Sequence, residues 1–172
     1  SPYAVAKSSC YWLAMMYKNS YGMFISVGFL SNHESPLRGK HFVTSKIVNG
    51  IKAIKKNEIK RLSMGNLNIC RDWGWAPSYV EAIYKMMILK EPDNFVIATG
   101  RTSSLRDIVE KAFQISGLGD ASNFLIENKS EFRPNEIISS YLDPSKAKEK
   151  LNWEHSINLD EIIEKLINEE LF

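Results

Sequence analysis

An α/β fold is what this sequence predicts, because helical segments alternate with short apolar runs along the chain. The segment Tyr3–Tyr21 has the apolar spacing of a helix that ends at Gly22. The next segment, Met23–Leu30, is a continuous apolar run, typical of a strand buried on both faces of a parallel sheet. The composition agrees, since 172 residues with 44% hydrophobic and 24% charged positions can form a sizeable core.

After this first strand, the polar segment Asn32–Gly39 is predicted to be a loop. It would lie at the carboxyl end of the strand, where open α/β sheets bind their ligands. Isoleucines at helical spacing predict a helix over Val43–Lys56, and Arg61–Met64 is predicted to be a short strand. The segment Asn66–Ala76 mixes polar and aromatic residues and is predicted to be a second loop.

The remaining elements are marked by residues that begin or end them. Proline and short polar residues favour helix starts, and glycine favours the ends of elements. The predicted elements are a helix from Pro77 to Leu89, a strand over Phe95–Thr99 that Gly100 breaks, a helix capped by Ser104 and Asp107 that ends near Gly117, a strand over Phe124–Glu127, a helix from Asp143-Pro144 to Leu151, and a last helix capped by Asn158 and Glu161.

Charge and residue content argue against several classes of function. A net charge of +2 is too small for a charge-driven nucleic-acid binder, and no apolar stretch approaches the ~20 residues that span a membrane. Cys10 and Cys70 form no C-x-x-C pair and are predicted to be buried free thiols in a reducing cytoplasm. The three histidines lack metal-ligand spacing. We therefore expect a cytoplasmic protein without nucleic-acid, membrane or metal partners.

The first helix carries a candidate catalytic pair, Tyr3 and Lys7. They are four positions apart, so a helix places both side chains on one face. An ammonium beside a phenol favours the phenolate, which can then take a proton from a sugar or alcohol hydroxyl. The alternative is an amphipathic helix whose lysine merely extends to solvent.

No glycine-rich phosphate-binding turn occurs among the nine glycines, and the chain begins at Ser1 with its catalytic candidate at position three. We therefore expect these residues to be the later half of an enzyme whose cofactor-binding half lies upstream.

Seven segments of the chain carry distinctive motifs, in this order: Ser1–Lys7 (SPYAVAK), Asn32–Arg38 (NHESPLR), Phe42–Ile47 (FVTSKI), Gly65–Gly74 (GNLNICRDWG), Phe95–Gly100 (FVIATG), Phe132–Glu136 (FRPNE) and Asp143–Trp153 (DPSKAKEKLNW). Together these motifs resemble the GDP-mannose 4,6-dehydratase family of extended short-chain dehydrogenases/reductases. The resemblance implies the end of a Rossmann-type parallel sheet over residues 1–60. Residues 61–172 would be mainly a small α/β substrate domain, with 95–99 returning to the sheet.

That family implies an activity. NADP takes a hydride from C4 of GDP-mannose, a carboxylate removes the C5 proton while water leaves C6, and the hydride returns to C6. The product is GDP-4-keto-6-deoxymannose, and the cofactor is recycled. The family's C5 base and NADP phosphate loop precede the tyrosine, so the resemblance implies that this chain alone is inactive.

The resemblance also assigns roles to residues. Tyr3 matches the base at the C4 hydroxyl, Lys7 its activating partner on the nicotinamide ribose, and His33 and Arg38 match further NADP contacts. The positions that match the substrate site are Asn32, Val43, Lys46, Asn66, Arg71, Arg133 and Glu136. Arginine suits phosphate because its fork of donors matches the anion, and Glu136 offers acceptors to ribose hydroxyls or guanine.

Alternative roles remain open for several of these residues. Arg71 could instead pair with Asp72, and Lys46 could lie on a solvated helix face. Trp73 and Trp75 are expected to pack in the core rather than to stack on a base. His33 could merely bond the backbone of its loop.

The sequence departs from the family pattern at four places. They are Leu37, Ser45, the segment Trp75–Ser78, and a short loop between Gly117 and Phe132. These departures suggest a divergent subgroup. The rival functions are a related nucleotide-sugar epimerase or reductase, and a non-catalytic nucleotide-binding or assembly fragment.

The chain is also expected to be ordered only when it associates with another polypeptide, either its own N-terminal half or further copies in a homo-oligomer. Without upstream strands one sheet edge would be unpaired, and apolar surface on the first helix would be uncovered. The residues expected to supply that surface are Tyr11, Trp12, Met15 and Met16.

Overall fold

The computed structural model describes residues 1–132 and 136–171. The helices of this part are α1 (Pro2–Tyr21), α2 (Val43–Lys55), α3 (Ala76–Met87), α4 (Leu105–Ile115), α5 (Ser145–Leu151) and α6 (Leu159–Asn168). The strands are β1 (Gly28–Leu30), β2 (Asn32–Glu34), β3 (Leu62–Met64), β4 (Cys70–Trp75), β5 (Phe95–Ile97), β6 (Thr102–Ser104) and β7 (Leu125–Glu127). No helix of the described residues is long and apolar enough to cross a membrane.

Parallel pairs dominate the sheets. Strand β1 runs parallel to β5, β2 parallel to β4, and β3 parallel to β7, while β6 is antiparallel to β4. Strands β1 and β2 are one extended stretch that changes partner at Ser31, whose N–H donates to the Ile97 carbonyl at 3.0 Å. Among the described strands, β1 pairs only with β5, so its other edge has no neighbour.

Helices α1 and α3 cover opposite faces of the β1–β5 pair. The Tyr11 and Phe29 rings lie 5.5 Å apart, which places α1 on the Phe29 side. On the other side, Met86 of α3 lies against Gly28, where an added Cβ would stand 3.7 Å from its sulfur. Successive strand residues face opposite ways, so these two contacts establish two helical layers around a sheet.

The apolar core has two main parts. Tyr79, Phe95 and Trp153 belong to the part under α3 and α5, which packs against β5. The larger part lies between α2, α4 and the β3–β7 pair, and its buried members are Ile47, Ile51, Ile54, Leu62, Met64, Leu67, Trp73, Leu105, Ile108, Val109, Ala112, Phe113, Ala121 and Ile163. Trp73 and Trp75 are both buried, which confirms that they pack rather than stack on a ligand.

Two predicted loops are partly strands, so those predictions were wrong. Residues Asn32–Glu34 form β2 and Cys70–Trp75 form β4, paired in register with each other. Their polar and aromatic composition suggested loops, but both lie inside the fold, where backbone groups need partners. The predicted strand Met23–Leu30 is also shorter than expected and covers only Gly28–Leu30. The prediction that both cysteines are buried was wrong as well, since Cys10 is exposed and Cys70 is half-buried.

The predicted helix ends are largely confirmed. Gly22 ends α1 with φ of 62°, a conformation that glycine adopts without strain. Reciprocal side-chain bonds start two helices, from Ser104 and Asp107 in α4 and from Asn158 and Glu161 in α6. At α5 the prediction was off by one position, because the N-cap is Pro144 and not the residue before it.

Candidate active site

The candidate catalytic pair lies in the first turns of α1. The Ser1 hydroxyl accepts a hydrogen bond from the Ala4 N–H at 3.2 Å, and Pro2 occupies the first turn, as is typical of a helix start. The Lys7 Nζ atom lies 5.7 Å from the centre of the Tyr3 ring. The Tyr3 side chain is 72% exposed, so the helix presents phenol and ammonium together on an open surface.

Three contacts show which way α1 runs along the sheet. Lys18 donates to the Pro92 carbonyl at 2.8 Å, and the Asn94 amide donates to the Met15 sulfur at 3.5 Å. Both partners precede β5, so the end of α1 lies at the amino end of that strand. Tyr11 contacts Phe29 in the middle of β1. Tyr3 precedes Tyr11 by eight residues, which is about 12 Å of helix, so it lies toward the carboxyl ends of the strands.

Asn32 and His33 follow β1 at this same carboxyl end. Asn32 is half-buried and stands opposite Trp73 in the β2–β4 register. The His33 Nδ1 atom lies 2.8 Å from the Ser31 carbonyl, which fits an Nδ1–H donor, and its ring lies 5.5 Å from the Tyr79 ring. The structure therefore brings Tyr3, Lys7, Asn32 and His33 to one end of the sheet.

Arg38 is held by three neighbours in the loop between β2 and α2. Its Nε lies 2.9 Å from Glu34 Oε2, and its Nη1 donates to the His33 carbonyl at 3.0 Å. The guanidinium carbon lies 4.0 Å from the centre of the Phe42 ring, which is a cation–π contact. These contacts place the arginine beside His33, the other candidate for binding the cofactor.

Glu34 is a residue that sequence reasoning missed. Its side chain is 1% exposed, and the Thr44 hydroxyl donates to its Oε2 at 2.5 Å. Burial raises the pKa of Glu34, against the opposing effects of Thr44 and Arg38. The other oxygen, Oε1, has no hydrogen-bond partner among the described residues. The only sequence signal was its place in the polar Asn32–Arg38 motif.

The predicted substrate-side residues are spread over α2, β4 and the segments that follow. Val43 opens α2 and packs against the larger core, and the Asn66 side chain accepts from the Asn68 N–H at 2.9 Å. Lys46 pairs with Glu131 at 2.5 Å, and that hydrogen bond lowers the pKa of the Glu131 carboxyl. Lys46 is therefore engaged rather than free on a solvated face.

Arg71 binds main-chain carbonyls rather than an acidic side chain. Its Nη2 donates to the Ile137 carbonyl at 2.6 Å, and its Nη1 donates to the Cys70 carbonyl at 2.8 Å. The alternative pairing with Asp72 does not occur in this structure. Arg71 thus fastens the chain next to Glu136, which is half-buried, while Arg133 lies outside the described residues.

Asp72 forms the centre of a buried network that the sequence did not predict. Its side chain is 2% exposed, and its Oδ1 accepts from the Ser31 hydroxyl at 2.7 Å and from the Thr99 N–H at 3.0 Å. Its Oδ2 accepts from the Gly100 N–H at 2.8 Å. The Tyr79 hydroxyl lies 2.5 Å from the Ser31 hydroxyl. This carboxylate therefore ties the residues after β1 and β5 to β4.

Tyr79, which contacts Ser31 in this network, is buried and leaves no room for a side chain at Gly74. Burial raises the pKa of Tyr79, so its phenol stays protonated at neutral pH. Gly74 lies against the Tyr79 ring, and an added Cβ there would come within 2.3 Å of the ring and hydroxyl. A glycine between two buried tryptophans was the only sequence signal of this close approach.

His155 joins the C-terminal segment to β4. The Trp75 N–H donates to its Nε2 at 2.8 Å, so this nitrogen must be unprotonated. Burial lowers the pKa of His155, and nearby Asp72 and the Ile157 backbone oppose that effect. The neutral form is therefore the one that suits the fold.

We expect the free energy of unfolding to fall as pH drops below about 6.5, the ordinary histidine pKa. The pKa of His155 is lower in the folded state than in the unfolded state, so the unfolded state binds more protons. Lowering the pH therefore stabilises the unfolded state relative to the folded state. Urea unfolding of the polypeptide encoded by the whole reading frame, at pH 7.5 and 5.5, measures this loss. The variant His155→Gln should lose less stability than wild type over that range, whereas the exposed-site control His41→Gln should match wild type. Equal pH dependence in wild type and His155→Gln would contradict the prediction.

Comparison with known proteins now decides the family. The sequence profile described as GDP-mannose 4,6 dehydratase matches residues 1–166. The chain belongs to the GDP-mannose 4,6-dehydratase family. It is 36% identical over 171 residues to GDP-mannose 4,6 dehydratase 1 of Arabidopsis thaliana, an alignment that covers 99% of this chain and 47% of that protein. It is 37% identical over 188 residues to the GDP-mannose 4,6 dehydratase of Homo sapiens, covering 98% of this chain and 50% of that protein.

Solved structures show the same fold at low identity. The RMD of Pseudomonas aeruginosa complexed with NADPH superposes with a TM-score of 0.87 at 16% identity, over 98% of this chain and 55% of that one. The dTDP-glucose 4,6-dehydratase of Bacillus anthracis in complex with NAD gives a TM-score of 0.85 at 16% identity, over 98% and 51%. These matches confirm the Rossmann-type α/β fold class. The chain spans about half the length of the GDP-mannose 4,6-dehydratase family members it matches.

Proposed function

We propose that this chain supplies the later half of a GDP-mannose 4,6-dehydratase, which converts GDP-mannose to GDP-4-keto-6-deoxymannose in the cytoplasm with NADP as cofactor. One observation carries the proposal. Tyr3 and Lys7 stand together on an exposed helical face, at the same end of the sheet as Asn32 and His33. The family match supports a nucleotide-sugar dehydratase rather than the rival epimerase or reductase.

In this proposal Tyr3 removes the proton from the C4 hydroxyl of the sugar. Its exposed phenol is open to a substrate, and the nearby Lys7 ammonium stabilises the negative charge of the phenolate. When bound, NADP would supply the group that accepts a hydride and later gives it back. Lys7 also offers ammonium donors to the hydroxyls of the nicotinamide ribose.

The arrangement of His33 and Arg38 fits a phosphate-bearing dinucleotide. Arg38 is held by Glu34, the His33 carbonyl and Phe42, yet its Nη2 makes no hydrogen bond to a described residue. A guanidinium with one free nitrogen suits an anionic oxygen. His33 has one ring nitrogen engaged with the Ser31 carbonyl, which leaves Nε2 for a ligand.

On the substrate side we propose that Asn32 faces the sugar, and that the remaining predicted residues surround the nucleotide diphosphate. Lys46 would exchange its bond to Glu131 for a phosphate oxygen. Arg71 would act at the nucleotide while it fastens the chain beside Glu136. The set that completes this side is Val43, Asn66, Arg133 and Glu136.

A product assay tests the function. The polypeptide encoded by the whole reading frame that contains these residues is incubated with GDP-mannose and NADP. We expect a product that is lighter than GDP-mannose by one water and carries a C4 carbonyl, without net NADPH formation. The 172-residue chain alone is expected to form none, since the resemblance places other required groups outside it. A C4-epimerised sugar, or no reaction in the complete polypeptide, would contradict the proposal.

The surface of the first helix supports the expectation of a partner. Helix α1 has no buried residue. Of the four apolar residues expected to be uncovered, Trp12 and Met16 are exposed, whereas Tyr11 and Met15 are partly covered by Phe29 and Asn94. A second apolar stripe lies on the outer side of α3 and its C-terminal end, and its exposed members are Val80, Ile83, Tyr84, Met87 and Ile88.

The exposed apolar residues of α1 and α3 favour association of this chain with another polypeptide. Since α1 and α3 flank the unpaired edge of β1, we propose that the other half of the enzyme, or a second copy, covers these surfaces. Light scattering on the pure 172-residue chain at micromolar concentrations should show oligomers or aggregates. Co-expression with the upstream polypeptide should give a smaller defined species. A cooperatively folded monomer of the chain alone would contradict the prediction.

A further inference from the structure

We propose that Glu34 is a positioning residue, whose buried carboxylate orients the Arg38 guanidinium so that Nη2 can bind an anionic oxygen of the dinucleotide. The inference rests on the proposed function, in which Arg38 contacts the cofactor. It concerns the Glu34 cluster, which consists of Glu34, Arg38, Phe42 and Thr44.

The cluster restrains Arg38 on three sides. Glu34 Oε2 lies 2.9 Å from Nε, the His33 carbonyl accepts from Nη1 at 3.0 Å, and the Phe42 ring lies under the guanidinium carbon at 4.0 Å. A free arginine side chain loses conformational entropy when it binds an anion. A guanidinium that is already oriented loses less, so the restraint favours binding.

Glu34 is itself anchored to the start of α2. The Thr44 hydroxyl donates to the same Oε2 atom that faces Arg38. Thr44 is the second residue of α2 and is buried, so the carboxylate is fixed relative to that helix. The Ser45 hydroxyl also donates to the Arg38 carbonyl at 3.0 Å. The loop that carries the arginine is thus fastened to α2 through both its side chain and its backbone.

Burial of the Glu34 carboxylate lowers the stability of the folded state, so its presence needs a reason other than folding. A carboxylate that is 1% exposed has lost its water, and its Oε1 has no hydrogen-bond partner among the described residues. Buried charge with incomplete bonding destabilises a fold. A glutamine could keep the Thr44 bond without the charge. The property that only glutamate supplies here is a negative charge 2.9 Å from the Arg38 Nε, which itself makes no hydrogen bond to a described residue.

The test is a titration with NADPH of the polypeptide encoded by the whole reading frame, in which binding is monitored by fluorescence. Arg38→Ala should raise the Kd for NADPH about 10-fold or more, the scale of one charge-assisted bond. Glu34→Gln should raise it about 3- to 10-fold, in a variant that stays folded at the assay temperature. In the double variant, Glu34→Gln should add nothing to Arg38→Ala, because the glutamate acts through the arginine. The exposed-site control Glu58→Gln should bind like wild type.

Other outcomes would contradict either the proposed cofactor site or the proposed role of Glu34. If Arg38→Ala leaves the Kd unchanged, or wild type binds no NADPH, the proposed cofactor site fails and the inference fails with it. If Arg38→Ala weakens binding but Glu34→Gln does not, the cofactor site stands and the inference fails. An additive double variant also overturns the inference. A lower melting temperature with unchanged Kd would assign Glu34 to folding alone.

Discussion

Replacing Tyr3 by phenylalanine is expected to lower the rate of keto-sugar formation at least about 100-fold in the complete polypeptide, the scale of general acid–base catalysis. Phenylalanine keeps the ring and its contact with Lys7 but removes the oxygen that would take the C4 proton. Tyr3 is exposed and touches no core cluster, so the substitution should leave the fold intact.

The measurement is the initial rate of product formation at saturating GDP-mannose, with NADPH binding measured in parallel. Tyr17→Phe is the matched control, since Tyr17 is an exposed tyrosine on the same helix that stacks on Tyr21. It should leave the rate nearly unchanged. If Tyr3→Phe keeps the wild-type rate, Tyr3 does not act as the base.

Replacing Asp72 by alanine is expected to lower the free energy of unfolding by about 3–5 kcal/mol, the cost of breaking a buried charged network. The alanine leaves the Ser31 hydroxyl and the N–H groups of Thr99 and Gly100 without their acceptor. These donors come from the ends of β1 and β5 and from the turn after β5. Losing the carboxylate should therefore loosen the sheet end where the candidate site lies.

Urea unfolding of the complete polypeptide, followed by tryptophan fluorescence, measures this loss, because Trp73, Trp75 and Trp153 are buried. Hydrogen exchange at the amides of Thr99 and Gly100 should also accelerate in the variant. Glu110→Ala is the control, since that glutamate is an exposed acidic residue on α4 and its loss should change stability little. A change in Asp72→Ala no larger than in this control would show that the network does not stabilise the fold.

The candidate site was only partly predictable from residue patterns. Tyr3 and Lys7 could be placed on one face because helical spacing is local, and the structure confirms that they are neighbours. His33 and Arg38 came from the family resemblance, and their direct contact through the His33 carbonyl was not foreseen. Their roles toward NADP remain predictions.

The residues that hold the site in place escaped sequence reasoning. Asp72 bonds to Ser31, which is 41 positions away, and to the turn after β5. No periodicity relates such positions, because they meet only when strands from different parts of the chain pair. Glu34 carried a weak signal within its motif, yet its burial and its unbonded oxygen depend on α2 folding over it.

By itself, the sequence determined the alternation of helices and strands and most helix ends. These follow from interactions over three or four residues, such as the reciprocal bonds of Ser104 with Asp107 and of Asn158 with Glu161. Only the tertiary structure decided that Asn32–Glu34 and Cys70–Trp75 are strands. Their polar residues favour loops locally, but each strand satisfies the backbone of the other across about forty positions of sequence, and this pairing outweighs local preference.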